Sequence, residues 1–386
     1  MNNLKILHLS NANPKNGGGI HEVVSNFYKY QKQLQHHPSI LYPGHHLETD
    51  SMKLDKNIRG LPEYSIGRLK ILKELFKAVS NDISSFDIIH QHGVWTPMSF
   101  YAQKIRSKSK LKLVIQPHGL LEPFRLNISK YKKKLAYQLY EKSNLSNASA
   151  IIACSEDEAY NLKKMFPKND VAIIHNGVSS DFYNTDSKKY NYQRNKKRIL
   201  FLSQIIPIKG LERIFRVIND IGIESFSEWE FLIAGYGDDI YINSLKTLAA
   251  KFKLDSLVTF VGTKLGKEKI EIFDNSDVFI LPTYNENFGI VVPEALARGI
   301  PVITTRGTPW SELNEYNCGW WVNNTDEGLK NSLIEILSCS SIKLKTMGQN
   351  GKKLVKEKYL WDKTTPLTIE LYTWLITGGS KPDFIV

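Results

Sequence analysis

Asp277-Val278-Phe279-Ile280-Leu281-Pro282-Thr283-Tyr284-Asn285-Glu286-Asn287-Phe288-Gly289-Ile290-Val291-Val292-Pro293-Glu294-Ala295-Leu296-Ala297-Arg298-Gly299 decides how the rest of the chain is read. Its opening apolar run, ending at Ile280, has the pattern of a strand buried on both faces of a parallel sheet. The strand ends at Pro282, a polar loop follows, and Pro293 to Arg298 reads as a helix that stops at Gly299. Proline in the first helical turn and glycine just past the last are ordinary helix boundary chemistry. Pro301-Val302-Ile303-Thr304-Thr305 is then a second buried strand. Such a strand–loop–helix–strand unit opens its loop at strand carboxyl ends, where open α/β sheets bind ligands.

Two carboxylates lie in this unit, Glu286 in the loop and Glu294 at the helix start. Even a fully helical path would separate them by roughly 12 Å, at a rise of about 1.5 Å per residue. That spacing is too wide for an acid/base dyad but fits an elongated ligand with hydroxyls at both ends. Between them the backbone N–H groups of Phe288, Gly289, Ile290 and Val291 can face an anion near a helix N-terminus. Carboxylates for sugar hydroxyls around an amide nest for phosphate describe a nucleotide-sugar site. The plainer alternative is a solvated loop acid at Glu286 and a first-turn helix acid at Glu294.

The pattern Glu286, seven residues, Glu294, set in Asn-Phe-Gly-Ile-Val-Val-Pro-Glu-Ala-Leu-Ala-Arg-Gly-Ile-Pro-Val-Ile, resembles the retaining glycosyltransferases of family 4. Further matches run through nearly the whole chain. The resemblance implies an α/β chain of GT-B fold, two Rossmann-like domains facing each other across a cleft. It also implies a retaining transfer from a nucleoside-diphosphate-sugar to a hydroxyl, of hexosyltransferase type and of the kind that builds bacterial surface polysaccharides such as lipopolysaccharide.

Composition agrees with that class. The 386 residues suffice for two α/β domains with cores of their own, and 42% hydrophobic with 23% charged residues is ordinary for a globular chain. A net charge of +12 favours an anionic partner: nucleic acid, anionic lipid or a phosphorylated substrate. Cys154, Cys318 and Cys339 are odd in number and show no close pairing, the usage of free thiols in a reducing compartment. Met1-Asn2-Asn3-Leu4-Lys5 leads straight into a strand pattern, so no signal peptide is expected. No apolar run approaches the roughly 18 residues of a membrane span. The expected location is cytoplasmic, with peripheral attachment to the inner face of the membrane as an option.

In chain order, Leu4–Ser10 reads as the first strand, followed by Asn16-Gly17-Gly18-Gly19-Ile20 and an amphipathic helix from near His21. Strand, glycine loop and helix can make a phosphate cradle, although the spacing is not the dinucleotide fingerprint and, taken alone, the loop reads better as a plain tight turn. The resemblance places Gly18 and Gly19 near donor phosphate and acceptor. Ser39–Tyr42 is a short strand, residues 43–66 look irregular, and Ile66 to Val79 has helical spacing. Phe86–Gly93 is a strand ending in a His-rich loop, followed by a helix from Thr96, and Lys112–Gly119 repeats the design. His90, His92 and His118 lack metal-ligand spacing such as His-Glu-x-x-His, so no metal is expected. By resemblance His118 is a cleft histidine that contacts the donor sugar; otherwise it is a loop residue capping backbone groups.

Residues 104–134 carry ten Lys and Arg against one acid, Glu122. Ile128 to Tyr140 reads as a basic helix with interleaved aromatic and aliphatic positions. Such a helix can lie on an anionic membrane surface, each nearby cation adding about 1 kcal/mol, or it can be a solvated lysine face. No nucleic-acid recognition motif accompanies it. Ser155 is placed to cap a helix starting at Glu156-Asp157-Glu158, and Val171–Val178 closes the first sheet.

The polar stretch 183–198 marks a boundary. The expected division is 1–183, an acceptor-side domain; 184–198, a linker; 199–365, a nucleotide-sugar domain; and 366–386, a helix returning to the first domain. Ile199–Ser203 opens the second domain, followed by Gln204-Ile205-Ile206-Pro207-Ile208-Lys209-Gly210. The family holds the donor diphosphate there with an Arg and, a few residues on, a Lys. Lys209 matches, but Gln204 stands at the Arg position and brings no charge. A charge-assisted hydrogen bond is roughly twice as strong as a neutral one. Phe231–Asp238 is a strand with a glycine turn; Asp238-Asp239 reads as a turn and helix cap rather than a metal pair. Trp320 and Trp321 read as core residues.

The resemblance thus implies catalytic roles for His118, Glu286 and Lys209. Donor contacts fall to Gly18, Gly19, Gln204, Lys209, Phe288 to Val291 and Glu294, with no cofactor and no metal. The implied acceptor is a glycan, or one linked to polyprenyl diphosphate. The alternatives are a transferase acting on a small soluble acceptor, a non-catalytic GT-B binding subunit favoured by Gln204, and a nucleic-acid-binding protein, which would explain the charge but not the Glu-flanked loop.

Overall fold

Among the described residues fifteen strands make the frame, all but two of them in parallel sheets. The computed structural model describes residues 3–11, 18–43, 57–61, 64–66, 69–71, 85–185 and 195–386. The chain divides into two compact units, 1–176 with 361–386, and 177–360.

In the first unit β1 (Lys5–Ser10), β2 (His37–Pro43), β3 (Ile58–Leu61), β6 (Ile88–His92), β7 (Lys112–Gln116), β8 (Ala150–Ala153) and β9 (Val171–Ile173) form one sheet in the order β3-β2-β1-β6-β7-β8-β9. Every pairing is parallel. The strands are mostly apolar because both faces are covered; the buried exceptions include His8 and Ser10 of β1 and His90, Gln91 and His92 of β6. One face carries Leu7, Leu9, Ile89, Leu113, Ile115 and Ile151 under helices Pro97–Lys108 and Glu156–Met165. The other carries Ile6, Ile88, Val114 and Ile152, against which Ile369, Leu371 and Tyr372 of helix Trp361–Thr377 pack.

The second unit repeats the plan with β10 (Lys197–Leu202), β11 (Trp229–Ala234), β12 (Val258–Gly262), β13 (Val278–Leu281), β14 (Val302–Thr305) and β15 (Gly319–Val322), ordered β12-β11-β10-β13-β14-β15. Helix Leu211–Ile221 shows why this sequence makes a covering helix: Leu211, Ile214, Phe215, Val217 and Ile218 are buried along one stripe.

In both sheets the strand order reverses between two neighbours, β1 and β6 in the first, β10 and β13 in the second. The loops leaving such neighbours diverge and open a crevice beyond the strand carboxyl ends, the usual ligand site of this architecture.

Three local readings need correction. Residues 43–66 include strand β3, which pairs in parallel with β2. The helix expected from Ile66 to Val79 is replaced at its start by an antiparallel pair, β4 (Tyr64–Ile66) with β5 (Leu69–Ile71); its remainder, 72–79, lies outside the described residues. Asn16 and Gly17 of the glycine loop and residues 186–194 of the expected linker also lie outside them. The helix after the Glu-flanked loop runs Val291–Ala297, two residues earlier than Pro293 suggests.

Candidate active site

In the second unit the two loops at the β10/β13 reversal are tied to each other by backbone. Tyr284 N–H donates to Ile208 O at 2.8 Å, and the Thr283 hydroxyl donates to the same oxygen at 2.9 Å. Gly210 permits this approach: its φ is +73°, and a Cβ there would stand 2.3 Å from Pro282 O. The third chain, from β14, joins through Glu286 N–H to Gly307 O at 2.7 Å and Thr305 hydroxyl to Thr283 O at 2.6 Å. Behind these loops the buried Arg213 guanidinium lies 4.4 Å from the Tyr284 ring centroid and bonds Asp326 at 2.9 Å and Asn324 at 2.8 Å. The loop that carries Glu286 is therefore braced from below.

The charged groups pair across this frame. Lys209 and Glu286 form an ion pair. Eight residues on, Glu294, almost fully buried, accepts from Lys269 at 2.5 Å. Lys269 belongs to helix Gly266–Asp274, which precedes β13. Gly289, with φ +72°, brings the chain close enough that a Cβ would meet the Glu286 side chain at 3.0 Å. Phe288 is buried against Trp310, whose indole N–H donates to Phe288 O at 2.5 Å, so the loop between the two glutamates is anchored by a ring and a carbonyl. Ile290 and Val291 follow directly and open helix Val291–Ala297, whose first N–H groups have no acceptor within the helix. Gln204 is exposed at the start of its loop.

In the first unit the β1/β6 reversal carries a histidine row. His8 of β1 and His90 and His92 of β6 are buried on one side of the sheet, and His118 follows β7. His8 Nδ1 lies 2.9 Å from His92 Nε2, and His92 Nδ1 lies 3.1 Å from His118 Nε2. Burial holds all four imidazoles neutral, lowering His8 to about 4 and His118 to about 3, with His90 and His92 well below their usual value. One ring nitrogen from each of His8, His90 and His92 lies within 4.8 Å of the other two, a grouping that sequence spacing did not reveal.

His118 takes φ +55°, a left-handed conformation that costs a non-glycine residue on the order of 1–3 kcal/mol. The buried Glu158 carboxylate holds it there, accepting from Gly119 N–H and Cys154 N–H, both at 2.7 Å. Glu158 is itself placed by the predicted cap, since its N–H donates to the Ser155 hydroxyl at 3.2 Å. Gly18, with φ +97°, precedes helix Gly19–Gln33, and a Cβ on either Gly18 or Gly19 would meet nothing within 4 Å.

Each of the two units matches a family model. The model for glycosyl transferases group 1 matches residues 182–354, and that for glycosyltransferase family 4 matches residues 17–182. The chain belongs to glycosyltransferase family 4. An uncharacterised glycosyltransferase of Methanocaldococcus jannaschii is 25% identical over 90% of this chain and 92% of its own. A capsular polysaccharide biosynthesis glycosyltransferase of Staphylococcus aureus is 26% identical over 61% of this chain and 64% of its own. Among solved structures, Anabaena HepE in complex with UDP and glucose superposes with a TM-score of 0.76 at 17% identity, covering 96% of this chain and 99% of that one. The fold is GT-B and the protein is a glycosyltransferase.

Set against this family 4 chain, sequence reading located Lys209, Glu286, Glu294 and the 288–291 turn, which the second unit brings to one reversal. It missed Lys269, Arg213 and His8, and also Gln31 of helix Gly19–Gln33, whose Oε1 lies 2.8 Å from His8 Nε2. Lys269 lies in a helix of mixed charge, where nothing local distinguishes it. His8 and His92 could have been paired from alternation, since neighbouring parallel strands point alternate residues to one face. Asp238 caps helix Asp239–Lys251 through Ile240 and Tyr241 N–H, at 3.0 and 3.2 Å, as read. Trp320 is buried, whereas Trp321 is half-buried beneath Arg306.

Proposed function

We propose that this enzyme is a retaining glycosyltransferase that takes a sugar from a nucleoside-diphosphate-sugar, with the donor held by residues 177–360. The observation that carries the reading is the double pairing at the β10/β13 reversal, Lys209 with Glu286 and Glu294 with Lys269. Glu294 takes the ribose hydroxyls. Glu286, with the N–H groups of Phe288, Gly289, Ile290 and Val291, takes the sugar and the β-phosphate. Lys209 stabilises charge on the departing diphosphate, the kind of electrostatic contribution that often dominates such transfers. A lysine has three N–H donors, so Lys209 can keep Glu286 while receiving phosphate. Gln204 adds a neutral donor, Gly18 and Gly19 offer amides to phosphate or acceptor, and His118 contacts the sugar.

The bond from the anomeric carbon to the phosphate oxygen breaks, and the acceptor oxygen bonds to the same face. The acceptor proton passes to the leaving phosphate. No covalent nucleophile, cofactor or metal is assigned.

The acceptor proposed is a lipid-linked glycan, reached from the cytoplasmic face of the membrane. The name of the Staphylococcus aureus relative supports a polysaccharide product. Tyr131, Leu135 and Leu139, at 88%, 59% and 71% exposure, stand among Lys130, Lys132, Lys133 and Lys134, a surface suited to anionic lipid.

Thermal stabilisation by UDP, GDP, ADP and their sugar conjugates, with and without EDTA, tests the donor site. A ligand at about 100 times its dissociation constant adds roughly 2.7 kcal/mol. One nucleotide should stabilise the wild type, ignore EDTA and lose its effect in Glu294→Gln. No stabilisation by any of them at millimolar concentration would end this reading.

A further inference from the structure

The histidine row has a feature that the donor reading does not use. Gln31, buried in helix Gly19–Gln33, places its Oε1 2.8 Å from His8 Nε2. A continuous path then runs through His8 Nδ1 and His92 Nε2 at 2.9 Å, and His92 Nδ1 and His118 Nε2 at 3.1 Å. Among the described residues no hydrogen bond reaches His118 Nδ1. We propose that Gln31, His8 and His92 form a proton-ordered relay that fixes His118 as its Nε2–H tautomer, so that Nδ1 faces the ligand as an acceptor and selects a sugar hydroxyl that donates.

The direction follows from counting protons. A neutral imidazole carries one N–H and one lone pair, and burial keeps these rings neutral. The amide oxygen of Gln31 can only accept, so His8 must donate from Nε2 and present a lone pair at Nδ1. His92 must then donate from Nε2 and accept at Nδ1, and His118 must donate from Nε2. Each ring's tautomer is set by the bond its other nitrogen makes. The reverse order would turn over the Gln31 amide and place all three rings in the Nδ1–H form, which free neutral histidine disfavours.

Gln31, His8 and His92 touch no substrate in this scheme; they are positioning residues acting through His118. Gln91 braces the same strand end, donating to Gly93 O at 2.8 Å and to the Ser99 hydroxyl at 3.0 Å, which keeps His92 in register with the relay.

The statement about the sugar hydroxyl rests on the donor reading above, but the tautomer does not. Protein labelled with 15N-histidine is studied by long-range 1H–15N correlation at neutral pH, with His118→Gln to assign the resonance. The expected wild-type spectrum shows His118 Nε2 protonated and Nδ1 bare. Gln31→Glu keeps an acceptor and keeps that spectrum. Gln31→Leu leaves a His8 N–H without its acceptor, so His118 gains an Nδ1–H population and the nucleotide-sugar KM rises severalfold, while Gln31→Glu keeps KM near wild type. A wild-type His118 protonated at Nδ1 would overturn the relay, as would one tautomer common to all three proteins. Loss of the His8 and His92 N–H signals on adding one equivalent of Zn²⁺ would also overturn it, because those nitrogens would then be metal ligands. The expected tautomer without nucleotide-sugar binding would leave the relay standing and remove the donor reading alone.

Discussion

Lys209 and Glu286 form an ion pair across 77 residues of chain. Strand order explains the meeting: β10 and β13 are neighbours in the sheet, and each residue lies in the loop leaving one of them. Lys209→Met should therefore lower kcat with little loss of fold. Removing one preorganised charge contact typically costs about 10²–10³ in kcat, whereas a partly solvated pair adds roughly 0–1 kcal/mol to stability. Turnover with saturating acceptor, beside a thermal midpoint, separates the two. A large drop in midpoint with unchanged turnover would make Lys209 a structural residue.

Lys269 and Glu294 are the other case, because Glu294 is 4% exposed at its side chain. Taking away one partner of a buried pair costs about 3 kcal/mol or more, since the remaining charge stays out of water. Lys269→Met should lower the unfolding free energy by about that amount and raise the donor KM. The double variant Lys269→Met/Glu294→Gln should recover part of the stability and none of the binding. Additive losses in denaturant titrations would mean that the two side chains do not act as a pair.

Gly210→Ala tests the tie between the loops. The new Cβ would have to avoid Pro282 O at 2.3 Å and adopt φ +73°, a left-handed conformation costing an L-residue roughly 1–2 kcal/mol. Backbone cannot step aside as a flexible side chain can, so the loops should part. The expected result is a lower midpoint together with weakened nucleotide protection. Full protection in the variant would show that the binding loop does not depend on this approach.

The sequence made the sheets and the second-unit site legible for a common reason. Buried parallel strands are continuous apolar runs, and the loop from Pro282 to Val291 lies between two of them, so Glu286 and Glu294 could be placed without coordinates. Contacts arriving from other elements were not legible in that way. Lys269 reaches Glu294 from the helix before β13, and Gln31 reaches His8 from a helix between β1 and β2. The strand at Ile58–Leu61 escaped because Arg59 and Gly60 break its apolar run, and it lies at the sheet edge, where only one side needs pairing.

The exposed side chains of the basic segment carry the membrane prediction. Tyr131, Leu135 and Leu139 are spaced by four residues and well exposed. Substituting all three by Ser should leave the thermal midpoint within a degree or two, because surface changes of this kind usually alter stability by about 0.5 kcal/mol or less. Sedimentation with phosphatidylglycerol vesicles should fall at least tenfold, and wild-type binding should weaken with salt as each nearby cation loses its share of about 1 kcal/mol. Equal binding to phosphatidylcholine vesicles, or none to either, would remove the membrane surface from the proposed function.

Acid should destabilise the first unit through its histidines. His8, lowered to about 4, His118, lowered to about 3, and His90 and His92, well below their usual value, are neutral in the fold and charge on unfolding below about pH 6.5. The unfolded chain then binds more protons, so stability rises with pH across this window and is lost as pH falls, by up to about 1.4 kcal/mol per pH unit for each such histidine. Glu122 works with the opposite sign. Burial first, and then the nearby Glu158 charge, raises its carboxyl to about 7 against a partial offset from Asn161. The unfolded carboxyl ionises earlier, so its contribution falls as pH climbs from the usual carboxylate range to 7. Four histidines outweigh one carboxylate below pH 6.5, and denaturant midpoints should climb from pH 5 to 6.5 and then flatten. Glu122→Gln should raise the midpoint near pH 7.5 and leave it almost unchanged near pH 4.5, whereas His90→Phe should flatten the acid limb. A midpoint independent of pH between 5 and 6.5 would mean that the histidine row is charged in the fold, which its burial forbids.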